Sequence, residues 1–169
     1  MSPVPKHIPL GKSCPKAANT LQKIAMRYKA RETTAFRVLK GSYERLKKER
    51  GVNFHSLHEQ GYTTQMMMDL GIPTHELIIG HLSTKGGLDK LVADITKMHN
   101  SNDPHYKKLR FKTLVSQGIP LNKIHEARAQ LGLLLYEGFT KQELVEAGYN
   151  ANTIDNILKW HKERREKKP

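Results

Sequence analysis

The sequence has one cysteine, Cys14, and no acidic residue before Glu32. It also has no run of 18 consecutive apolar residues, so no segment reads as a membrane span. A lone thiol excludes an internal disulfide and fits a reducing compartment. β-Branched runs of period two are missing as well, so no strand is expected. Aromatic residues make up only 7% and apolar residues 37%, yet 169 residues suffice to bury the core of one domain. The opening Met1-Ser-Pro-Val-Pro-Lys lacks the apolar stretch of a secretory signal. An intracellular or virion-associated location is therefore expected. The acid-free start and the basic amphipathic span from Lys16 to Ala30 leave mitochondrial import open, although early prolines and few serines or arginines weigh against it.

Cations are plentiful and unevenly placed. Of the net charge of +13, residues 1–52 carry 13 Lys and Arg against Glu32, Glu44 and Glu49. Residues 53–159 carry 11 charges of each sign, and residues 160–169 carry five cations against two acids. A neutral body with basic extensions suits a nucleic-acid binder, because phosphate attraction works from surface segments without disturbing a core. Solubility alone is the simpler explanation, but acidic residues would serve it equally well. Acidic protein surfaces and lipid headgroups stand behind nucleic acid as partners.

Glycine marks the architecture. Gly51, Gly61, Gly71, Gly118, Gly138 and Gly148 are each followed by an apolar residue, and another apolar residue stands six positions after the glycine. In five copies a further apolar residue precedes the glycine by four: Leu57, Met67, Leu114, Leu134 and Leu144. This is the pattern of one helix stopping and the next starting at once. The glycine takes the left-handed position, its successor packs back on the preceding turn, and Thr, Asn or Pro opens the new helix. Ten residues hold only about two helical turns plus a joint, so each helix must be held by its neighbours.

The expected organisation is a Pro-rich basic arm over 1–15, a basic helical segment over 16–50, a helical repeat body over 51–160 and a basic tail over 161–169. The fold class is all-α: a compact array of short helices joined by glycine C-caps, with a basic N-terminal arm. Within it, helical spacing predicts helices over about Thr33–Glu49, with a weak point at Gly41, and over Leu88–Met98 and Tyr106–Ser116. A long apolar helix is expected over Leu121–Tyr136 and a final one over Asn152–Arg165. Thr140-Lys-Gln-Glu143 reads as a capping box.

Two segments resemble helix-turn-helix DNA-binding proteins. Residues 63–80 have Gly71, Ile72 and Leu77, and residues 140–157 have Gly148, Tyr149, Ile154 and Ile157, in that family's places. Met67 and Leu144 depart from its usual small residue, and Gly80 stands where an apolar residue is expected. The resemblance implies recognition helices near 73–82 and 151–160, with Thr74, His75, Asn152, Thr153 and Asn156 facing base edges and Lys159 on phosphate. The same residues also resemble the ten-residue Gly-Phe/Tyr-Thr helical repeats of secretion-apparatus and large DNA virus proteins. That resemblance implies a structural array with no common enzymatic activity.

No catalytic, metal or cofactor motif emerges. His75 and His81 are six apart and diverge around a helix, and His55 with His58 lacks a third ligand. Gly11-Lys12-Ser13 lacks the earlier glycine of a phosphate loop, and Cys14 has no partner histidine nearby. Met66-Met67-Met68 suits repeat core and rim. In His105–Lys112, four cations interleave with Tyr106 and Phe111, which suits phosphate contact first and base stacking behind it, with at least one aromatic reserved for the core. The expected function is thus non-enzymatic nucleic-acid binding, DNA ahead of RNA, dominated by phosphate. Lys47, Lys48, Arg50, Lys107, Lys108, Arg110, Arg164 and Arg165 are the expected phosphate contacts. The alternative is a structural component of a large assembly such as a virion, secretion machine or ribonucleoprotein particle.

Overall fold

A computed structural model describes residues 41–166. The arm over 1–15, the segment from Lys16 to Lys40 with its expected helices, Cys14 and the last three residues lie outside the described residues. Among the described residues all regular structure is helical, so the all-α expectation holds. The helices are α1 (Tyr43–Arg50), α2 (Phe54–Glu59), α3 (Thr64–Leu70), α4 (Thr74–Leu82) and α5 (Gly87–Asn100). After a 3₁₀ turn over Pro104–Lys107 come α6 (Phe111–Ser116), α7 (Leu121–Glu126), α8 (Leu131–Tyr136), α9 (Lys141–Glu146) and α10 (Ala151–Glu166). The chain divides into two units at Gly80–His81, inside the span expected to be one body.

In the first unit Leu57, Met67 and Leu77, ten apart, are fully buried, and Val52, Tyr62 and Ile72 sit almost as deep. Met66 and Met68 are half-buried beside Met67, so the methionine run supplies core and rim. α1 starts at Tyr43, just after Gly41, the weak point in the sequence, which stands at φ +73° with its N–H donating to the Asp69 carbonyl at 2.9 Å. Gly80, anomalous for a helix-turn-helix, has a packing reason. A Cβ there would lie 2.2 Å from the Phe54 ring, so glycine lets α2 and α4 approach closely.

The second unit repeats the pattern with a strict period. Leu114, Ile124, Leu134, Leu144 and Ile154 are all fully buried. Between them the chain turns at Gly118 (φ +89°), Arg128 (+64°), Gly138 (+89°) and Gly148 (+108°). At each joint the next residue's N–H donates back to the buried anchor's carbonyl: Ile119 to Leu114, Ala129 to Ile124, Phe139 to Leu134 and Tyr149 to Leu144, at 3.0–3.2 Å. This is the bond that closes a helix on a left-handed residue. The single helix expected over Leu121–Tyr136 is therefore two, α7 and α8, broken at Arg128. Apolar spacing runs on through the break, which is why the sequence conceals it.

α9 packs both against α7, two repeats earlier, and against its successor α10. The His125 ring meets Tyr149 at 4.3 Å, and the Tyr149 hydroxyl donates to the Ala129 carbonyl at 2.8 Å. Burial pushes the Tyr149 phenol up to about 12. The capping box at α9 is present: Thr140 N–H donates to Glu143 at 2.7 Å, and Glu143 N–H to the Thr140 hydroxyl at 3.2 Å.

The joints make a paired stability prediction. Arg128 pays about 1 kcal/mol for its left-handed backbone, so Arg128→Gly should raise the melting temperature by a few degrees. Gly148→Ala should lower it, because a Cβ would stand 3.0 Å from the His125 Nδ1 on a backbone at φ +108°. Thermal unfolding of both variants checks this, and equal effects of one sign would contradict it.

Candidate nucleic-acid interface

The segment from Asp103 to Lys112 presents the clearest cluster of cations. The Asp103 carboxylate accepts from the His105 N–H at 3.0 Å and opens the 3₁₀ turn. Arg110 is extended (φ −128°, ψ 169°), its N–H donating to the Thr113 hydroxyl at 3.2 Å, and α6 begins only at Phe111. The continuous helix expected over Tyr106–Ser116 is thus interrupted, for a reason that lies far along the chain. The Glu137 carboxylate, 8% exposed, accepts from the Tyr106 hydroxyl at 2.7 Å and from the N–H groups of Phe111 and Lys112 at 3.1 and 2.8 Å. It thereby satisfies amides that the first turn of a helix leaves without partners. Burial, and then the Glu137 carboxylate, raise the Tyr106 phenol above its ordinary range.

With Leu109 and Phe111 fully buried, the backbone turns Lys107, Lys108 and Arg110 outward, and all three are exposed. Phe111 is the aromatic that belongs to the core, as the spacing required of one of the pair. None of the three cations makes an ion pair among the described residues. Lys112 is also exposed, its ammonium 5.8 Å from the centre of the Phe139 ring.

The other expected contacts divide. In the first unit Lys48 and Arg50 are exposed at the end of α1, but Lys47 is held by Glu76 at 2.9 Å. Glu76 also accepts from the Tyr43 hydroxyl. Burial pushes the Glu76 carboxyl up, but these hydrogen bonds outweigh it and hold the group below its usual range. In the same unit Thr74 is half-buried and His75 exposed on α4.

On α10, Asn150 caps the start, its Oδ1 accepting from the N–H groups of Asn152 and Thr153 at 2.9 and 3.2 Å. At 100° per residue, Asn152, Asn156 and Lys159 stand opposite the buried Ile154, and Thr153 lies beside them. All four are exposed, but Glu163 shares their face. Arg165 points the opposite way, and Arg164 lies over the Trp160 ring at 4.2 Å, so the two arginines do not extend that face. The Lys141–Asp155 ion pair at 2.7 Å ties α9 to α10. The left-handed joint at Gly148 recurs at Gly118, Arg128 and Gly138, so it does not by itself single out α9–α10 as a DNA reader.

Three residues of this region gave no signal in the sequence. Glu137 looked like an ordinary charged helix end. Tyr136, hidden in an apolar run, is 71% exposed, its ring 4.9 Å from His99. His99 in turn meets Tyr106 at 4.9 Å. Tyr136 is the last residue of the short helix α8, just before the joint at Gly138. Elsewhere in this unit a groove of about 590 Å³ lies between α5 and the α7–α8 joint, lined by Asp89, Thr96, Lys97, Asn100 and Arg128 among others. Among the described residues no three His, Cys, Asp or Glu side chains gather as a metal-ion site. No helix among them is long and apolar enough to cross a membrane.

Glu137 should be a stability residue as well as an organiser. Glu137→Ala orphans a hydroxyl and two amides, at about 1–3 kcal/mol for each group that water cannot reach. Urea unfolding should show a loss of at least about 2 kcal/mol, with Glu137→Gln closer to wild type. A loss under about 0.5 kcal/mol for the alanine variant would mean that water replaces the carboxylate. No family model, curated protein or solved structure matches this chain.

Proposed function

We propose that this chain is a non-enzymatic nucleic-acid-binding protein, acting on DNA ahead of RNA and held mainly by phosphate contacts. One observation carries the reading. Residues 53–159 are balanced in charge while both flanks are basic, and within that balanced span Lys107, Lys108 and Arg110 stand exposed together, without an ion-pair partner among the described residues. Concentrated, unpaired cations are what a polyanion rewards, because each neutralised phosphate releases condensed counterions. Lys48, Arg50, Arg164 and Arg165 would add contacts, with Lys47 contributing less while Glu76 holds it. Base reading through Asn152, Thr153 and Asn156, with Lys159 on phosphate, would follow the helix-turn-helix resemblance of residues 140–157.

A second reading, a structural component of a large assembly such as a virion, secretion machine or ribonucleoprotein particle, is favoured by a different feature. The strict ten-residue period from Leu114 to Ile154 suits a stacked array built to hold shape, like the repeats that the sequence resembles.

Binding of the full chain to random duplex DNA across a salt series separates the two. The phosphate reading expects log K to fall against log salt with a slope of about −3 or steeper. Alanine at Lys107, Lys108 and Arg110 together should flatten that slope by about two to three units. Absence of binding at low salt would overturn the nucleic-acid reading and favour the assembly.

A further inference from the structure

We propose that the surface formed by Tyr136, His99 and the Lys107–Arg110 segment binds single-stranded nucleic acid, one unstacked base lying on the Tyr136 ring and the adjoining phosphates on Lys107, Lys108 and Arg110. This rests on the nucleic-acid reading above and names its substrate class at one site. Tyr136 is the most exposed of the large apolar side chains among the described residues, at 71%. It is nonetheless braced. Its ring packs on His99 at a centroid distance of 4.9 Å and 60°, and His99 packs on Tyr106 at 4.9 Å and 63°.

The residue that follows Tyr136 fixes the cations relative to the ring. Glu137 accepts from the Tyr106 hydroxyl and from the Lys112 N–H, so it is bonded at both ends of the segment that carries Lys107, Lys108 and Arg110. Its carboxylate is 8% exposed, and its three hydrogen bonds come from the Tyr106 hydroxyl and two amides rather than from the cationic side chains. Ring and cations are thereby arranged before any ligand arrives, which spares the ordering cost of binding.

A single strand offers what this surface lacks: free π-faces interleaved with phosphates. A duplex keeps its base faces inside the stack, and an acidic protein surface would satisfy the lysines without needing the ring. The exposed Trp160 ring of this unit is a poorer platform. Trp160 already has the Arg164 guanidinium over it at 4.2 Å.

The test uses the full chain with fluorescent oligo(dT) and a random duplex, read by anisotropy at one low salt concentration. The expected result is tighter binding to oligo(dT), lost on the order of tenfold in Tyr136→Ala and retained in Tyr136→Phe, whose ring is intact. Duplex affinity should be unchanged by either substitution. Lys108→Ala should weaken both ligands, since phosphate contact does not depend on base exposure. Thermal unfolding controls for fold. If oligo(dT) binds but Tyr136→Ala leaves its affinity unchanged, the platform is overturned while nucleic-acid binding stands. If wild type binds neither ligand, both readings fall together.

Discussion

A helix of two turns cannot persist in water on its own, and most of the described helices are about that long. What sustains them is one apolar side chain every ten residues, fully buried at Leu57, Met67, Leu77, Leu114, Ile124, Leu134, Leu144 and Ile154. The left-handed joint exists to keep that spacing. It stops one helix, returns an N–H to the anchor's carbonyl and points the next anchor inward. Stacking of α7 on α9, with Tyr149 reaching the Ala129 carbonyl, shows how the joints lean on one another two repeats apart.

That constraint also shapes the surface on which function is proposed. Short helices expose many chain starts, and each needs partners for its first amides. At α9 the partner is local, in the Thr140–Glu143 box. At α6 it comes from the end of α8, where Glu137 reaches the Tyr106–Lys112 segment. One carboxylate therefore closes a structural gap and bonds both ends of the segment that carries Lys107, Lys108 and Arg110. The shape of the basic segment is a consequence of how α6 is capped, while the exposed Tyr136 ring is braced by His99.

The joints were legible wherever glycine stood in the left-handed position, because the spacing of Leu114, Gly118 and Ile119 carries its own physical explanation. Arg128 carried no such mark. An arginine at φ +64° looks like any helical arginine, and the apolar spacing from Ile124 to Leu134 continues across it. Only the arithmetic of tens, from Gly118 to Gly138, pointed to a joint there. Lys107, Lys108 and Arg110 were legible as cations interleaved with aromatics, and their outward direction agrees with Leu109 and Phe111 taking the core. Tyr136 and Glu137 were not legible, because their roles depend on contacts with residues 25 to 37 positions away. Lys47 was legible as a charge, but its Glu76 partner was not.

Native-state hydrogen exchange on the full chain, wild type against Ile124→Ala, tests the stacking account most directly. The substitution empties the anchor of α7. If two-turn helices survive only through neighbours two repeats away, α7 and α9 should lose amide protection together, each by an order of magnitude or more. Loss confined to α7, with α9 protected as in wild type, would contradict it.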